Sequence, residues 1–264
     1  MILHARAPCP SCPRFSKHDG ARRMKAYLAS HLRRLLRRVG VDLVPFNAQH
    51  SDFVIEREMK RHGVTTTLDV GANRGQFASR LRRYGFRGII HSFEPVPEAR
   101  MALERRAERD GKWQVHPYAL GDAEGEAVLH VGSNDQTSSL LAPNRRNLDA
   151  TDMARTVQEI RVPVRRLADV ASELSLEPAR CFLKLDVQGA EAAVLDGAAG
   201  FLEDVPLLQL ETSFAPLYEG ETAFWPLIER LRKTGYAIVS IVPGFADPKT
   251  GELLQADVIL SRLS

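Results

Sequence analysis

The stretch TLDVGANRGQFASRL, Thr67–Leu81, contains the clearest indication of the fold class of this chain. An apolar run leads into a turn that contains Gly71, Asn73 and Gly75, and a helical pattern of apolar residues follows. A turn that is purely structural needs one or two glycines. The Asp69 carboxylate and the Asn73 amide at the end of a buried strand therefore indicate a ligand, because open α/β sheets bind ligands at the carboxyl ends of their strands.

The same succession of a short β-branched run and a helical pattern recurs along the chain. The strand-like runs before the close of the sequence are 65–70, 88–93, 113–119, 181–186 and 206–211. The helical patterns are 76–84, 97–109, 191–202 and 224–233. This succession predicts an α/β fold, in which a mostly parallel sheet carries helices on both faces.

Two parts of the chain depart from this rhythm. The runs 237–242 and 257–260 are joined by a loop too short for a crossover helix, so they predict an antiparallel C-terminal hairpin. Between 121 and 170, the strand-like runs EAVLHV and IRVPVRRL flank a long segment without a regular pattern. A loop of this length is usually functional or mobile.

The glycine turn differs from the dinucleotide-binding fingerprint. G-x-G-x-x-G counted from Gly71 requires glycines where Asn73 and Gln76 stand. The charge of Asp69 would repel a pyrophosphate and suits a ligand with a cationic or amine group. We expect Gly71 to let the backbone turn sharply and Gly75 to let it approach the ligand closely.

Two further acids follow the next two strand-like runs. Glu94 stands where a carboxylate can accept hydrogen bonds from both hydroxyls of a ribose. Asp122 is placed to accept a hydrogen bond from an adenine amino group, and Phe93 and Ala119 complete the predicted cofactor-binding set with Asp69, Gly71, Asn73, Gly75 and Asp186. A ligand with ribose, adenine and a positive charge but no phosphate is S-adenosylmethionine.

At these motifs the sequence resembles FkbM-family methyltransferases. The blocks LDVGANRGQF, FEPVPE, ALGD, SSL, LKLDVQGAEAAVLDGA and QLETSFAPLYEG occur in order, and the resemblance runs from about Asp52 to the C-terminus. It implies a class I methyltransferase fold of seven strands and S-adenosylmethionine as methyl donor. It also implies O-methylation of a sugar, glycolipid or polyketide hydroxyl. The first 50 residues have no counterpart in this resemblance.

The catalytic candidates are Lys184, Asp186 and Glu211. Methyl transfer depends on alignment of the two reactants, and a hydroxyl also needs a base or a metal to remove its proton. Lys184 and Asp186 share a strand face, and Asp186 is interpreted as positioning or deprotonating the acceptor, contacting the cofactor amine, or merely capping the next helix. Glu211 is a second base candidate, and Glu191 reads as structural. A third carboxylate at metal-ligand spacing is missing, so no metal is predicted.

Several polar and aromatic residues are weaker candidates. A hydroxyl-rich stretch of the long segment and two later aromatic residues suit a sugar pocket, although surface turns and core packing explain them as well: Thr137, Ser138, Ser139, Tyr218 and Trp225. His91 and His116 lie inside strand-like runs and are interpreted as core histidines. Residues 144–146 are expected in a solvated loop.

Charge separates an N-terminal arm from the body of the chain. Of the net charge of +3, residues 1–39 carry ten Lys/Arg against Asp19 alone, so the remainder is −6. An acidic body argues against nucleic acid as a partner. We expect a disordered leader over 1–23, a basic amphipathic helix and linker over 24–50, and the methyltransferase domain over 51–264. Cys9 and Cys12 in the leader lack a second pair of zinc ligands.

The sequence contains neither an apolar run of membrane-spanning length nor a signal peptide, which predicts a cytoplasmic protein. The helix over 24–39 either lies on an anionic inner membrane face or packs its leucines on the body. A small molecule, glycan or glycolipid is the expected acceptor. The rival functions are a nucleotide-dependent oxidoreductase that grips ribose through Glu94, and a non-catalytic binding module.

Overall fold

The computed structural model describes Tyr27, residues 31–32, residues 36–38 and residues 50–263. Two compact units divide the chain, Met1–Phe46 and Asn47–Ser264. In the first unit, the described residues Tyr27, 31–32 and 36–37 are helical. The predicted leader and most of the predicted amphipathic helix lie outside the described residues, so those predictions stay open. Across the described ranges, no helix is both long and apolar enough to cross a membrane.

The second unit alternates helices and strands for most of its length. Its helices are α1 Ser51–His62, α2 Gln76–Arg83, α3 Pro97–Ala107, α4 Arg145–Ala150, α5 Leu167–Glu173, α6 Glu191–Gly197 and α7 Phe224–Lys233. Its strands are β1 Thr66–Val70, β2 Ile89–Phe93, β3 Trp113–His116, β4 Ala119–Gly121, β5 Gly125–Gly132, β6 Thr156–Arg166, β7 Cys181–Leu185, β8 Leu207–Ser213, β9 Tyr236–Pro243 and β10 Gln255–Arg262.

The main sheet of this unit has seven strands in the order β3-β2-β1-β7-β8-β10-β9. The first five strands in this order, β3, β2, β1, β7 and β8, are parallel to one another. Strand β10 runs antiparallel to both β8 and β9. This topology confirms the predicted mostly parallel sheet with an antiparallel C-terminal strand. The strand order reverses between β1 and β7, and a ligand crevice is expected at such a point, outside the carboxyl ends of the strands.

The faces of the main sheet differ in chemistry. Leu183 and Leu185 of β7 belong to the large core that packs against α5, α6 and α7. Phe182, on the other face, packs with residues of α1 and α2 such as Val54 and Phe77. Toward the carboxyl ends of the strands, the second face turns polar at Lys184, because side chains alternate along a strand. This polar end borders the ligand cleft.

A second sheet forms where the regular alternation breaks. It has the order β4-β6-β5, with β4 parallel and β5 antiparallel to β6. The strand predicted over 113–119 is therefore two strands, because the chain leaves the main sheet after His116 and β4 pairs with β6. The strands predicted on either side of the long segment are β5 and β6.

The long segment between β5 and β6 is more regular than expected. It contains the helix α4, which begins at Arg145, and the Asn144 side chain caps it by accepting a hydrogen bond from the Asn147 N–H at 3.1 Å. The prediction of a loop over 144–146 is therefore wrong, because these residues begin a helix. The predicted solvent exposure holds for the side chains of Arg145 and Arg146.

Candidate functional site

A cleft of about 420 Å³ opens at the carboxyl ends of β1, β2, β7 and β8. This volume lies within the range of small-molecule sites. Part of the cleft is lined from the glycine turn, from the end of β2 and from β4, namely by Gly71, Asn73, Phe93, Glu94, Ala119 and Leu120. Another part is lined by polar side chains from α2, β7, β8 and β10 and from the turn after β7, namely Arg80, Lys184, Asp186, Gln188, Gln209, Glu211 and Asp257. Most of the residues predicted at strand ends therefore meet here.

The turn after β1 is shaped by close backbone approach. Gly71 has φ +70°, and a Cβ at this position would lie 1.8 Å from the carbonyl oxygen of Asp186. The N–H groups of Gly71 and Ala72 both donate to the Phe93 carbonyl oxygen at 3.1 Å. Glycine is therefore required at position 71 because the end of β7 passes directly beside the turn.

Gly75 acts in packing. It has φ +81°, and a Cβ there would lie 2.8 Å from Leu103 and 2.9 Å from Trp113. Gly75 is absent from the described lining of the cleft. Glycine at position 75 therefore allows the turn to pack closely against α3 and β3. The sequence had suggested close approach to a ligand instead.

Glu94 lies at the cleft as its position after β2 predicts. The side chain is buried, and its two oxygens accept hydrogen bonds from the Asn73 N–H at 2.7 Å and the Val96 N–H at 2.8 Å. Burial raises the pKa of Glu94 to about 7, although both backbone hydrogen bonds favour the charged form. Its carboxylate is thus fixed in orientation, and each oxygen keeps a second lone pair for a ligand.

Asp69 is fully buried and lies outside the described lining of the cleft. Its Oδ1 lies 3.2 Å from Nζ of Lys184, and Ser92 Oγ donates to its Oδ2 at 3.4 Å. The ammonium group of Lys184 also lies 3.3 Å from Asp186 Oδ2 and donates to the Gly71 carbonyl oxygen at 3.1 Å. The direct contact between Asp69 and a cofactor amine, expected from the sequence, is therefore replaced by an internal ion pair.

The electrostatics of Lys184 disfavour a role as base. Burial alone would lower the pKa of Lys184, but the carboxylates of Asp186 and Asp69 outweigh that effect and raise it. Burial raises the pKa of Asp69, and the Lys184 charge opposes the rise. The ammonium group of Lys184 contacts the ends of both β1 and β7, and the raised pKa favours its charged form.

Asp186 and Glu211 are bridged by Gln188, a residue that the sequence analysis did not single out. The Gln188 amide nitrogen donates to Asp186 Oδ1 at 3.0 Å and also to Glu211 Oε2. The amide oxygen of Gln188 accepts a hydrogen bond from Tyr218 Oη at 2.8 Å. Burial, followed by the nearby charges of Asp186 and Asp257, raises the pKa of Glu211 well above its ordinary value. Two carboxyl groups with different environments thus face one cleft.

The capping alternative for Asp186 is not supported. The residue before α6 is Ala190, which offers no side-chain cap, and Glu191 Oε1 instead accepts a hydrogen bond from the Val187 N–H at 2.9 Å. Glu191 is buried, and burial raises its pKa to about 8. Its position within α6 agrees with the structural role interpreted from the sequence.

The remaining predicted residues separate into those at the cleft and those away from it. Asp122 is exposed and outside the described lining, whereas Ala119, three residues earlier, lines the cleft. Ser138 lines it, while buried Ser139 donates through Oγ to the Gln188 carbonyl oxygen at 2.7 Å. Thr137 Oγ1 donates to main-chain oxygens of the loop itself.

The aromatic and histidine candidates belong mainly to the packing. Trp225 is 70% exposed on α7, away from the described cleft lining. Tyr218 is buried and acts through Gln188. His91 and His116 pair through their ring nitrogens at 3.1 Å, and burial lowers the pKa of both. The interpretation of these histidines as core residues is consistent with that geometry.

The segment between β5 and β6 forms one wall of the cleft. Asp135, Gln136 and Ser138 line it. The guanidinium group of Arg74, from the glycine turn, contacts Asp135 Oδ2 at 2.6 Å and 2.7 Å. Within the described residues, no group of three or more His, Cys, Asp or Glu side chains is arranged to hold a metal ion.

The fold and the cleft are those of an S-adenosylmethionine-dependent methyltransferase, as the sequence predicts. Residues 69–238 match the family described as the methyltransferase FkbM domain. The chain belongs to this family. The rival prediction of a nucleotide-dependent oxidoreductase is therefore wrong.

Curated relatives carry methyltransferase names. The chain is 27% identical over 170 residues to the 2-O-methyltransferase NoeI of Sinorhizobium fredii. The aligned region covers 62% of this chain and 70% of the relative. It is also 27% identical over 192 residues to Methyltransferase 1 of Beauveria bassiana, with 69% and 76% covered.

Solved structures with a similar fold are more distant. A methyltransferase FkbM from Methylobacillus flagellatus matches at 15% identity and a TM-score of 0.48, over 74% of this chain and 43% of that chain. Aeropyrum pernix fibrillarin in complex with S-adenosyl-L-methionine matches at 16% identity and a TM-score of 0.43, over 81% and 76%.

Proposed function

We propose that this methyltransferase transfers its methyl group to a hydroxyl of a sugar, glycolipid or polyketide-type acceptor. The observation that carries the proposal is the pair of carboxyl groups, Asp186 and Glu211, that share the amide of Gln188 inside the cleft. An aliphatic hydroxyl needs such a group to take its proton. The name of the relative NoeI, a 2-O-methyltransferase, supports the same chemistry.

The residues on the β1–β2 side of the cleft fit the cofactor. Glu94 offers carboxylate oxygens to the ribose diol, and the apolar side chains of Phe93 and Leu120 suit an adenine ring. Asn73 and the half-buried Asp186 supply polar groups for the amino-acid end. When bound, S-adenosylmethionine supplies an electrophilic methyl group on a positively charged sulfur.

Glu211 is the preferred proton acceptor. Because its pKa is raised by burial and by neighbouring carboxylates, it holds a proton more tightly than an exposed glutamate. Asp186 Oδ2 lies 3.3 Å from Nζ of Lys184, which fixes the position of this carboxyl group at the end of β7. We therefore assign orientation of the acceptor hydroxyl to Asp186, removal of its proton to Glu211, and the fixing of both strand ends to Lys184.

Labelled methyl transfer tests the proposed function. Purified full-length protein would be incubated with methyl-labelled S-adenosylmethionine and with lipid and glycan fractions of the cells that express it. We expect label in an alkali-stable ether of a hydroxylated product. Glu211→Gln should lower kcat by about 100-fold or more, while its affinity for S-adenosylhomocysteine stays within about twofold.

A matched variant controls for the loss of a carboxylate. Glu219 is exposed, so Glu219→Gln should leave kcat unchanged. Label that appears on nitrogen or in nucleic acid would contradict the proposal, as would full activity of Glu211→Gln. Failure of the well-folded protein to bind S-adenosylhomocysteine would favour the non-catalytic binding module instead.

The localisation of the protein in the cell is a separate proposal. We propose a cytoplasmic enzyme whose residues 24–39 contact the inner membrane face, on the basis of their basic amphipathic sequence pattern. Sedimentation with anionic liposomes would compare the full chain with a chain that starts at Pro45. Equal sedimentation of both would contradict membrane contact through this segment.

A further inference from the structure

The β7–β10 side of the cleft contains polar groups that the proposed chemistry leaves unused. Gln209 of β8 is in register with Lys184 of β7, and Asp257 of β10 is in register with Glu211 of β8. All four side chains line the cleft. Lys184 and Glu211 already have roles, whereas Gln209 and Asp257 have none.

Gln209 presents a buried acceptor without a partner. The side chain is 5% exposed, and its amide nitrogen donates to Asp257 Oδ1 at 3.0 Å. The amide oxygen Oε1 is buried and has no hydrogen-bond partner among the described residues. A charged carboxylate accepts hydrogen bonds and cannot donate them. Asp257 therefore orients the Gln209 amide with its nitrogen toward the carboxylate, which leaves the amide oxygen without a partner. A buried carbonyl oxygen without a partner is destabilising, so its presence in a ligand cleft indicates that a donor binds there.

Arg80 adds donors from the facing helix. It extends from α2 into the same part of the cleft, where its Nε lies 3.2 Å from Asp52 Oδ1 and its guanidinium carbon lies 5.3 Å from the centre of the Phe77 ring. The ion pair and the ring contact hold the group in place while its other nitrogens remain suited to hydroxyl oxygens. Acceptors of hydrogen bonds on the sheet thus face donors on the helix.

We propose that Gln209, Asp257 and Arg80 form a hydroxyl-recognition subsite that selects a polyhydroxylated, sugar-type acceptor over an apolar alcohol. This inference rests on the proposed function, because it places the hydroxyls next to the one that reacts. Each free hydroxyl both donates and accepts, which matches Gln209 Oε1 and Asp257 on one side and Arg80 on the other. An apolar acceptor would leave the buried Gln209 Oε1 without a partner and would offer no hydrogen bond to Asp257 or Arg80. Sites of this kind reject analogues that lack the matching hydroxyl.

The test measures binding to the full-length protein saturated with S-adenosylhomocysteine. The probes are methyl pyranosides of neutral hexoses, with cyclohexanol as the apolar reference, and the readout is saturation-transfer NMR with titration. We expect at least one pyranoside to bind more tightly than cyclohexanol. Gln209→Leu should weaken that binding by about tenfold or more, whereas Gln114→Leu, an exposed glutamine of β3, should leave it unchanged.

The outcomes separate this inference from the proposed function. S-adenosylhomocysteine binding by Gln209→Leu, measured first, reports whether that variant is folded. If it is not, Asp257→Asn keeps the shape of the side chain and serves as the second variant, with the same expected loss. Cyclohexanol bound as tightly as every pyranoside, or pyranoside binding unaffected by the variants, would overturn the subsite. Absence of S-adenosylhomocysteine binding in the wild-type protein would instead overturn the proposed function.

Discussion

Nζ of Lys184 lies 3.2 Å from Oδ1 of Asp69, and both side chains are buried, although Lys184 also lines the ligand cleft. The pair joins β7 to β1, since Asp69 and Lys184 are also register partners. The sequence motif that indicates a ligand thus contains one residue that lies outside the described lining of the cleft. It instead neutralises the cation on which Asp186 rests.

Removal of the Lys184 charge should destabilise the fold strongly. Lys184→Met leaves the carboxylate of Asp69 buried without its partner, and breaking a buried ion pair typically costs about 3–5 kcal/mol. The double variant Asp69→Asn with Lys184→Met should recover part of this loss, because no buried charge remains unpaired. Urea unfolding of the two variants and the wild type measures the difference.

An exposed lysine provides the control. Lys233 pairs with Glu229 at 2.8 Å on the surface of α7, and both side chains are mostly exposed. Lys233→Met should therefore change the unfolding midpoint little. A Lys184→Met variant as stable as Lys233→Met would show that the buried pair contributes no stability.

The affinity for S-adenosylhomocysteine should rise with pH through Glu94. In the proposed complex the charged carboxylate accepts a hydrogen bond from each ribose hydroxyl, and the pKa of Glu94 in the free protein is raised to about 7. The charged fraction therefore grows roughly tenfold between pH 6 and pH 8, and we expect affinity to follow. Glu94→Gln should bind about 5- to 100-fold more weakly at pH 8 and lose the pH dependence.

Isothermal titration at several pH values measures this effect. The exposed Glu98 of α3 gives the matched control, and Glu98→Gln should keep the wild-type profile. An unchanged pH profile in Glu94→Gln would mean that another group controls cofactor affinity.

Gly71→Ala should abolish S-adenosylhomocysteine binding. A methyl group at this position would lie 1.8 Å from the Asp186 carbonyl oxygen, so the turn and the end of β7 have to separate. Gly111 has nearly the same φ, +69° against +70°, yet no described atom lies within 4 Å of its Cβ position. Gly111→Ala therefore carries only the left-handed backbone cost of about 1–2 kcal/mol. Calorimetry and thermal unfolding of both variants separate the clash from the backbone cost, and equal behaviour would refute the close contact.

Glu191 should make the protein less stable as pH rises. Its pKa is about 8 in the folded chain against an ordinary value of 4.5, so the folded state binds one more proton between these values. The stability from this group is present below pH 4.5 and is lost as pH rises toward 8, at up to about 1.4 kcal/mol per pH unit. Glu191→Gln keeps an oxygen for the Val187 N–H and removes the titration. The stability of the variant relative to wild type should therefore increase from pH 5 to pH 8, measured by urea unfolding, and a constant difference would contradict the shift.

Much of the architecture could be read from local pattern. The strand runs and the antiparallel hairpin were predicted correctly. Glu94, Asp186 and Glu211 line the cleft, as their places at the ends of β2, β7 and β8 predict, because the carboxyl ends of parallel strands meet at one edge of a sheet. Asp69 and Asp122 lie outside its described lining. The chain leaves the main sheet after β3, and Asp122 is carried away from the cleft.

Less of the candidate site could be predicted from the sequence pattern. Gln188 and Gln209 are single amides with no periodic or spacing signal, and their roles depend on the side chains of other strands. Lys184 was correctly placed on the face of Asp186, but its partner Asp69 belongs to another strand. Whether Asp69 or Asp186 lines the cleft depends on the side chains that cover each of them in the folded protein.

Local order along the chain determined the succession of helices and strands and which residues stand at the strand ends, because hydrophobic periodicity and glycine turns act over a few neighbours. Register between β1 and β7 decided that Asp69 is buried against Lys184 while Asp186, two residues beyond Lys184, faces the cleft. That outcome depends on the pairing of residues more than 100 positions apart. The contacts of Gln188 with Glu211 and of Gln209 with Asp257 likewise join residues from separate parts of the chain. No local pattern encodes it, since burial, charge and hydrogen bonding are settled only when distant strands lie side by side.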